Sequence, residues 1–338
     1  MWQPRGRRTG KSAGAYNAYA VPLQYPEPGD SPKSPDGGKT EFWYDRLGRL
    51  ALSRNARQLA MSSSNNNYFS YTQYDWLGRI GEVGQVKDNQ NTVINDTFTR
   101  NATALNSWHT GLLGNREQVT ATVYDTAYNF TGIEPNLVVA QAHVRNRVSY
   151  VTYTDTPGVT SSFNHASFYS YDIHGNVDTL LQDYGRSDSR ANLMNKNANR
   201  WKKVVYEYDL ISGKVNKVKY QPQYSDQFTH RYFYDAENRL TEVQTSLDGY
   251  TWEKEAKYEY YLHGPLARTT IGQQQVQGID YAYTLQGWLK GMNSTGATAT
   301  HDIGGDGRIG HINQYVGRDA LGFNLNYFLG DYKPINAG

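Results

Sequence analysis

A short unit, Tyr-Asp followed by a turn, recurs along the chain and constrains its fold more than any other feature. Three clear copies hold Tyr44, Asp45 and Gly48; Tyr74, Asp75 and Gly78; and Tyr171, Asp172 and Gly175. Looser copies hold Tyr208, Asp209 and Gly213; Tyr234, Asp235 and Asn238; Tyr260 and Gly264; and Tyr283 and Gly287. The tyrosines of the four looser copies lie 26, 26 and 23 residues apart, which is a period that accommodates one β-hairpin. The repeat therefore predicts an all-β, tandem-repeat protein.

Each unit has the chemistry of a hairpin turn. Residues before the anchor alternate in character, as in 204–208 and 230–234, which is the period-2 pattern of a strand. The aspartate carboxylate can accept backbone N–H bonds, and a Gly or Asn three residues later can take the left-handed conformation of a type I turn with a G1 bulge. The next residue is often Arg, which we expect to stack on a cross-strand Tyr. Each repeat is thus predicted to be a hairpin with a built-in register.

Several stretches depart from the repeat. Residues 1–40 contain six of the 11 prolines and are predicted to be a disordered segment or linker. Residues 62–67 and 183–200 are rich in Ser, Asn or Asp and are predicted to be polar loops. Between residues 88 and 124 the repeat blurs, and the anchor-like Tyr124-Asp125 lacks a Gly at the expected place. We therefore expect a linker over residues 1–40 and a repeat region over residues 41–336.

The composition fits sheets that face water on both sides. The hydrophobic fraction is 38% and the mean hydropathy is -0.75, against about 45–50% apolar content in typical globular domains. The chain has 29 Tyr but 10 Phe, and a Tyr side chain combines an apolar ring with a polar end.

Charge and residue usage exclude several classes of partner and chemistry. The net charge of +2 gives no field that implies nucleic acid or an anionic membrane. The absence of Cys excludes disulfides and thiolate chemistry. No apolar run is long enough to span a membrane, and the N-terminal residues lack the apolar stretch of a signal peptide. We expect no nucleic-acid partner and no membrane span.

Motifs for catalysis or cofactor binding are weak. Residues 305–310 satisfy GxGxxG but no helix is predicted after them, so a glycine loop is the better interpretation. Asp302 and Asp306 could offer oxygens to Ca²⁺, but the spacing of a calcium loop is absent and turn acids are the simpler reading. The eight His have no ligand-like spacing. We predict no catalytic, cofactor-binding or metal-binding residue, and expect that the chain is not an enzyme.

An alternative function stays open. Exposed aromatic residues could stack on sugar rings, which would make the chain a cell-surface carbohydrate-binding or adhesion module with glycans as partners. The candidates are Trp43, Trp76, Trp252 and Trp288. Cross-strand aromatic packing is the competing interpretation of the same residues.

The Tyr-Asp-x-x-Gly-Arg-Leu unit resembles the YD repeat of RHS-family proteins, the large bacterial polypeptides of polymorphic toxins and insecticidal toxin complexes. Residues 208–215, 281–291 and 330–335 look like RHS proteins of Bacteroidetes, and the resemblance covers about residues 41–336. It implies a spiralling β-ribbon that forms part of a hollow shell, secretion or surface display within a longer protein, and an enclosed C-terminal toxin. The sequence reaches Gly338 without the Asp-Pro motif that precedes self-cleavage in the family, so neither protease activity nor a toxin is carried over.

Overall fold

The computed structural model describes residues 33–34, 38–63, 66–130, 139–155, 163–184, 199–293 and 301–328. The chain divides into two compact units, residues 1–118 with 156–158 and residues 119–155 with 159–338. Most of the predicted linker and most of the predicted loop at 183–200 lie outside the described residues. The described part is nearly all β, as the repeat predicts, and each of its 19 strands pairs antiparallel with a neighbour along the chain.

The first unit combines short strands with helices. Its strands are β1 (Lys33–Ser34), β2 (Gly38–Lys39), β3 (Glu41–Tyr44), β4 (Leu50–Arg54), β5 (Asn67–Tyr74) and β6 (Ile80–Asp88). Its helices are α1 (Ala56–Met61), α2 (Asp96–Arg100) and α3 (Ala102–Gly111), followed by a 3-10 turn at Leu113–Asn115. β1 pairs with β2, and β3 to β6 pair in chain order. At the predicted loop of residues 62–67, Ser63 bridges to Asn66 and β5 begins at Asn67.

The second unit is a succession of hairpins. Its strands are β7 (Arg116–Tyr124, which begins in the first unit), β8 (Val148–Thr154), β9 (His165–Tyr171), β10 (Val177–Asp183), β11 (Trp201–Tyr208), β12 (Val215–Tyr220), β13 (Phe228–Tyr234), β14 (Leu240–Ser246), β15 (Glu253–Tyr260), β16 (Leu266–Ile271), β17 (Gln277–Tyr283), β18 (Leu289–Met292) and β19 (Phe323–Asn324). Each pairs antiparallel with the next strand. Among the described residues, no helix has the length and apolarity needed to cross a bilayer.

Helices α2 and α3 cover one face of the sheet in the first unit. Each begins at an asparagine, Asn95 or Asn101, whose side-chain oxygen accepts backbone N–H bonds from the first turn. The buried side chains of α3 and the following turn pack on those of the strands. The cluster comprises Ala51, Leu52, Phe69, Tyr71, Val86, Leu105, Trp108 and Leu112. The stretch where the repeat blurs is therefore an insertion that supplies a local core.

A second local core lies on strands β8 to β10. It contains Val139, Ala166, Phe168 and Leu181, all of them buried. Partly buried aromatic rings surround it, contributed in part by the segment between β7 and β8; they are Tyr128, Phe130, Tyr150, Phe163, Trp201 and Tyr224. Here again, residues inserted between two strands cover one face of the sheet.

The stretch from Trp201 to Asn293 is covered only at its two ends. Trp201 and Tyr224 lie against the second core, and the segment after residue 301 packs on Arg268 and Asp280. Every residue of the stretch is described, and none of its aliphatic or aromatic side chains is buried. Side chains that are directly paired across strands share one face of a sheet, so the registers assign two faces. One, the Tyr face, carries Tyr206, Val218, His230, Tyr232, Val243, Ala256, Tyr258, Thr269, Ile279, Tyr281 and Met292.

The opposite side, the charged face, has a different character. It carries Glu207, Lys217, Lys219, Arg231, Glu242, Gln244, Lys257, Glu259, Arg268 and Asp280, together with Val205 and Phe233. Ion pairs tie neighbouring strands on this face, such as Lys219 with Glu207 and Lys254 with Glu242. Strands β11 to β15 thus have two unlike surfaces, and on β16 and β17 the segment after residue 301 covers Arg268 and Asp280 of the charged face.

Candidate functional site

The repeat anchors share one turn geometry. In the hairpin between β5 and β6, Oδ1 of Asp75 accepts the backbone N–H groups of Leu77 and Arg79 at 2.9 and 2.8 Å. The N–H of Gly78 donates to the Asp75 carbonyl at 3.0 Å, and Gly78 is left-handed with φ at 83°. The register shifts at Tyr74, as expected for a bulge after a type I turn. The same bonds recur at Asp45, Asp172 and Asp235.

The other carboxylate oxygen of the turn aspartate, Oδ2, accepts a hydrogen bond from the arginine that precedes the return strand. Arg49, Arg79 and Arg239 donate Nε to Oδ2 of their own turn aspartates at 2.7–2.8 Å. Desolvation alone raises the pKa of Asp75, but the hydrogen bonds and charge of Arg79 outweigh it, so the pKa lies below its ordinary value. Both oxygens of each of these carboxylates accept hydrogen bonds within the turn, which accounts for the recurring aspartate as a turn residue.

The tyrosine of the anchor connects consecutive hairpins, which sequence reasoning missed. Its hydroxyl donates to the backbone carbonyl of the first return-strand residue in the preceding hairpin, at 2.8–3.0 Å. The anchor pairs are Tyr74 with Leu50, Tyr171 with Val148, Tyr208 with Val177, Tyr234 with Val215 and Tyr260 with Leu240. Tyr327, which follows β19 and is not a repeat anchor, makes the same contact with Leu289. We call this contact the tyrosine clasp.

The turn arginines reinforce the clasp. The guanidinium carbon of Arg49 lies 4.2 Å from the centre of the Tyr74 ring, and that of Arg239 lies 4.5 Å from the Tyr260 ring. Each Arg therefore stacks on the anchor Tyr of the following hairpin. The sequence predicts that the Arg stacks on a Tyr of a paired strand. The structure shows this stacking, and the stacked Tyr belongs to the next repeat.

Some repeats keep the turn without the full motif. Asp209 heads a turn that is one residue longer, with Gly213 donating its N–H to the Asp209 carbonyl at 2.9 Å. Tyr261 and Thr284 replace the aspartate in the last two hairpins, where Gly264 and Gly287 retain left-handed backbones. Backbone geometry is therefore more constant than the anchor side chain.

The anchor-like Tyr124-Asp125 completes its turn about twenty residues later. Oδ1 of Asp125 accepts the N–H of Asn146 at 2.5 Å, and Asn146 is left-handed with φ at 60°. Tyr124 pairs with Val148 across the resulting hairpin. The chain between Asp125 and Asn146 is therefore an insertion within the turn. Asn-Arg-Val at 146–148 resembles the turn residues Asn-Arg-Leu at 238–240, and this likeness could have revealed the insertion from the sequence.

A cleft of about 830 Å³ opens in the first unit between the turns at Asp45 and Asp75 and helix α3. In its wall, Arg116 donates to Glu82 at 2.6 Å and to the carbonyl of His109 at 2.6 Å. Both ring nitrogens of His109 are buried without a hydrogen-bond partner. Burial, followed by the charge of Arg116, lowers the pKa of His109 to about 4, so its imidazole is neutral near pH 7.

The four candidate tryptophans lie in different surroundings. Trp43 is partly buried against Phe69, with 5.7 Å between ring centres, and Trp252 is covered by Arg231 at 3.9 Å. Trp76 stands 88% exposed at a turn, and Trp288 packs against Tyr327. Packing against neighbours accounts for three of the four.

A cluster of carboxylates lies at the end of the second unit. Arg268 on β16 donates to Asp280 on β17 and to Asp306, both at 2.5 Å. Oδ2 of Asp302 accepts the N–H of Asp306 at 2.6 Å. Side-chain oxygens of Asp280, Asp302 and Asp306 lie within 4.8 Å of one another. Burial, together with the neighbouring Asp302, raises the pKa of the nearby Asp319 to about 7.

The GxGxxG segment belongs to the same region. Its three glycines, Gly305, Gly307 and Gly310, have left-handed backbones within turns. Residues 301–328 contain no helix that could present its N-terminus to a phosphate. The prediction of a glycine loop agrees with this geometry.

The chain matches no protein-family model and no curated protein. Similar solved structures include the crystal structures of TcdB2-TccC3-TEV and TcdB2-TccC3-Cdc42, at 14% and 15% identity and TM-scores of 0.47 and 0.48. A Photorhabdus luminescens Tc holotoxin pore matches at 14% identity and a TM-score of 0.47. Each match covers 77% of this chain. The matched region is 10% of the length of each matched chain.

Proposed function

We propose that this chain is a structural segment of an RHS/YD-repeat β-shell that encloses or delivers a toxin encoded in the same, longer polypeptide. In this role the repeats bind one another, and the enclosed toxin is the functional partner. The chain forms part of the shell wall and does not catalyse a reaction, and it acts outside the cell that makes it.

The observation that supports this proposal is the single-layer sheet from Trp201 to Asn293. A globular domain buries one face of its sheet against another layer, but here no aliphatic or aromatic side chain is buried over 93 consecutive residues. A wall between a lumen and solvent needs two different surfaces and no core. The Tyr face suits an enclosed chain, and the charged face suits solvent up to Arg268 and Asp280, which the segment after residue 301 covers.

The tyrosine clasps explain how such a wall holds together without a core. Each clasp joins two consecutive hairpins through a hydrogen bond, and the cation–π contacts of Arg49 and Arg239 add to it. Because clasps bind successive hairpins at several places, stability is distributed along the ribbon, as in other repeat proteins. This also accounts for the low hydrophobic fraction.

The proposal is tested by protease protection. The natural polypeptide, comprising this chain and the sequence that its reading frame encodes after it, is incubated with a non-specific protease under native conditions. We expect the downstream segment to survive intact, and to be cleaved once the wall is unfolded by denaturant. Cleavage of that segment at the rate measured when it is expressed alone would contradict enclosure.

A weakened wall provides the matched control. The triple variant Tyr208→Phe, Tyr234→Phe and Tyr260→Phe removes three clasp hydroxyls and keeps the rings. If the wall encloses the segment, this variant releases it to protease at a lower denaturant concentration than the parent does. The variant Tyr250→Phe, at a side chain that is 89% exposed, should behave like the parent.

A further inference from the structure

The carboxylate cluster of the second unit carries more negative charge than its protein partners neutralise. Asp280 is 4% exposed and Asp306 is 1% exposed. The guanidinium of Arg268 bonds to both, yet Asp302 and Asp319 bring two further carboxyl groups to the same place. Buried like charges repel each other strongly unless a cation or a proton compensates them.

Several oxygens of the cluster lack a basic side chain as a donor. Oδ2 of Asp306 is buried with no side-chain donor, and Oδ1 of Asp302 and both carboxylate oxygens of Asp319 are buried where the two carboxyl groups contact each other rather than a basic side chain. Asp306 is almost completely buried, so solvent does not supply one. Such an oxygen normally costs free energy on folding, and a bound cation would remove that cost.

Two glycines let these groups approach closely. A Cβ at Gly278 would lie 2.0 Å from Nη2 of Arg268 and 2.3 Å from Oδ2 of Asp306. A Cβ at Gly304 would lie 2.1 Å from Oδ2 of Asp280. Any side chain at either position would displace the cluster. The absence of a side chain at Gly278 and Gly304 therefore allows Arg268, Asp280 and Asp306 to lie close to the backbone.

Asn293 fixes the position of the cluster. Its Oδ1 accepts the N–H of Asp280 at 2.8 Å, and its Nδ2 donates to the carbonyl of Leu321 at 2.8 Å. The strand that carries Asp280 is thereby tied to the segment that carries Asp319. Carboxylates from three parts of the chain are held in place before any ligand arrives.

We propose that Asp280, Asp302, Asp306 and Asp319 form a binding site for one calcium ion. Carboxylate oxygens are the ligands that hard divalent cations prefer, and Ca²⁺ binds them at about 2.3–2.6 Å. Two oxygens on one calcium are therefore at most about 5 Å apart, which the side-chain oxygens of Asp280, Asp302 and Asp306, all within 4.8 Å of one another, satisfy. Asp319 contacts Asp302 beside them. Mg²⁺ bonds are about 2.0–2.1 Å long and would require a tighter arrangement. The ion would fasten the segment after residue 301 to strand β17.

Isothermal titration calorimetry of the EDTA-treated full chain with CaCl₂ tests the site. We expect one ion per chain, with a dissociation constant below about 1 mM and weaker binding of MgCl₂. The variants Asp302→Asn and Asp319→Asn each remove a carboxylate without touching Arg268, and should weaken calcium binding at least tenfold. Asp155→Asn, an exposed carboxylate outside the cluster, should leave binding unchanged.

Thermal unfolding gives a second readout. The parent should unfold at a higher temperature with 1 mM calcium than with EDTA, because an ion that binds the folded state stabilises it; the two asparagine variants should lose this difference. No calcium heat in a chain that is folded by circular dichroism would overturn the proposal. Equal binding by the parent and both asparagine variants would do the same.

Discussion

The anchor tyrosines join consecutive hairpins through their hydroxyl groups, and this role was not predicted from the sequence. The Tyr234 hydroxyl donates to the Val215 carbonyl at 3.0 Å, whereas Tyr250 is 89% exposed. We predict that Tyr234→Phe lowers the free energy of unfolding by about 1 kcal/mol, the usual worth of one such bond. Urea denaturation of both variants measures it. If Tyr234→Phe costs no more than the control Tyr250→Phe, the clasp does not stabilise the ribbon.

His109 predicts a pH dependence of stability. Its pKa is about 4 in the folded chain and about 6.5 when unfolded. The unfolded state takes up the proton first, so the stability is fully present above about pH 6.5 and is lost as the pH falls towards 4. The loss is roughly 2 to 3 kcal/mol.

Urea unfolding at pH 7 and pH 4.5 measures this loss, and the variant His109→Gln, which does not titrate, should reduce it. The exposed His263 provides the control, since His263→Gln should leave the pH dependence as it is in the parent. An unchanged pH dependence in His109→Gln would show that other groups cause it.

At the scale of the hairpin, backbone conformation sets the turn. Gly287 has φ at 82°, and an added Cβ there would meet open space. Gly287→Ala should therefore destabilise the chain by about 1 kcal/mol through conformation alone. Gly114→Ala also meets open space but lacks the left-handed backbone, and should change stability by less than about 0.5 kcal/mol. Equal effects of the two alanines in urea denaturation would contradict this account.

The same scale shows how much the sequence predicts. Turn positions follow from Asp and Gly spacing because a type I turn with a bulge is a local structure. The clasp could not be predicted in this way, since the reach of Tyr234 to Val215 depends on how two hairpins pair. Helix α3 left a readable signal in Leu105, Trp108 and Leu112, whose spacing is helical, but the expectation of a continuing repeat obscured it.

Across the described residues, the two hydrophobic clusters form where the chain inserts residues into the repeat. The helices at 96–111 pack on the strands of the first unit, and Tyr128, Phe130 and Val139 pack on those of the second. The carboxylate cluster joins strand β17 to the segment after residue 301. Asp302 and Asp306 are close in sequence, but Asp280 and Asp319 join them only through the fold, so sequence spacing could not identify the site.

Electron cryomicroscopy of the natural polypeptide, with this chain and the sequence that follows it, tests the central claim most directly. The account predicts a hollow particle whose wall is one sheet thick, with the Tyr face towards the lumen and density for the enclosed segment inside. An open ribbon, or a compact solid domain in which the Tyr face is buried against a second layer, would contradict it.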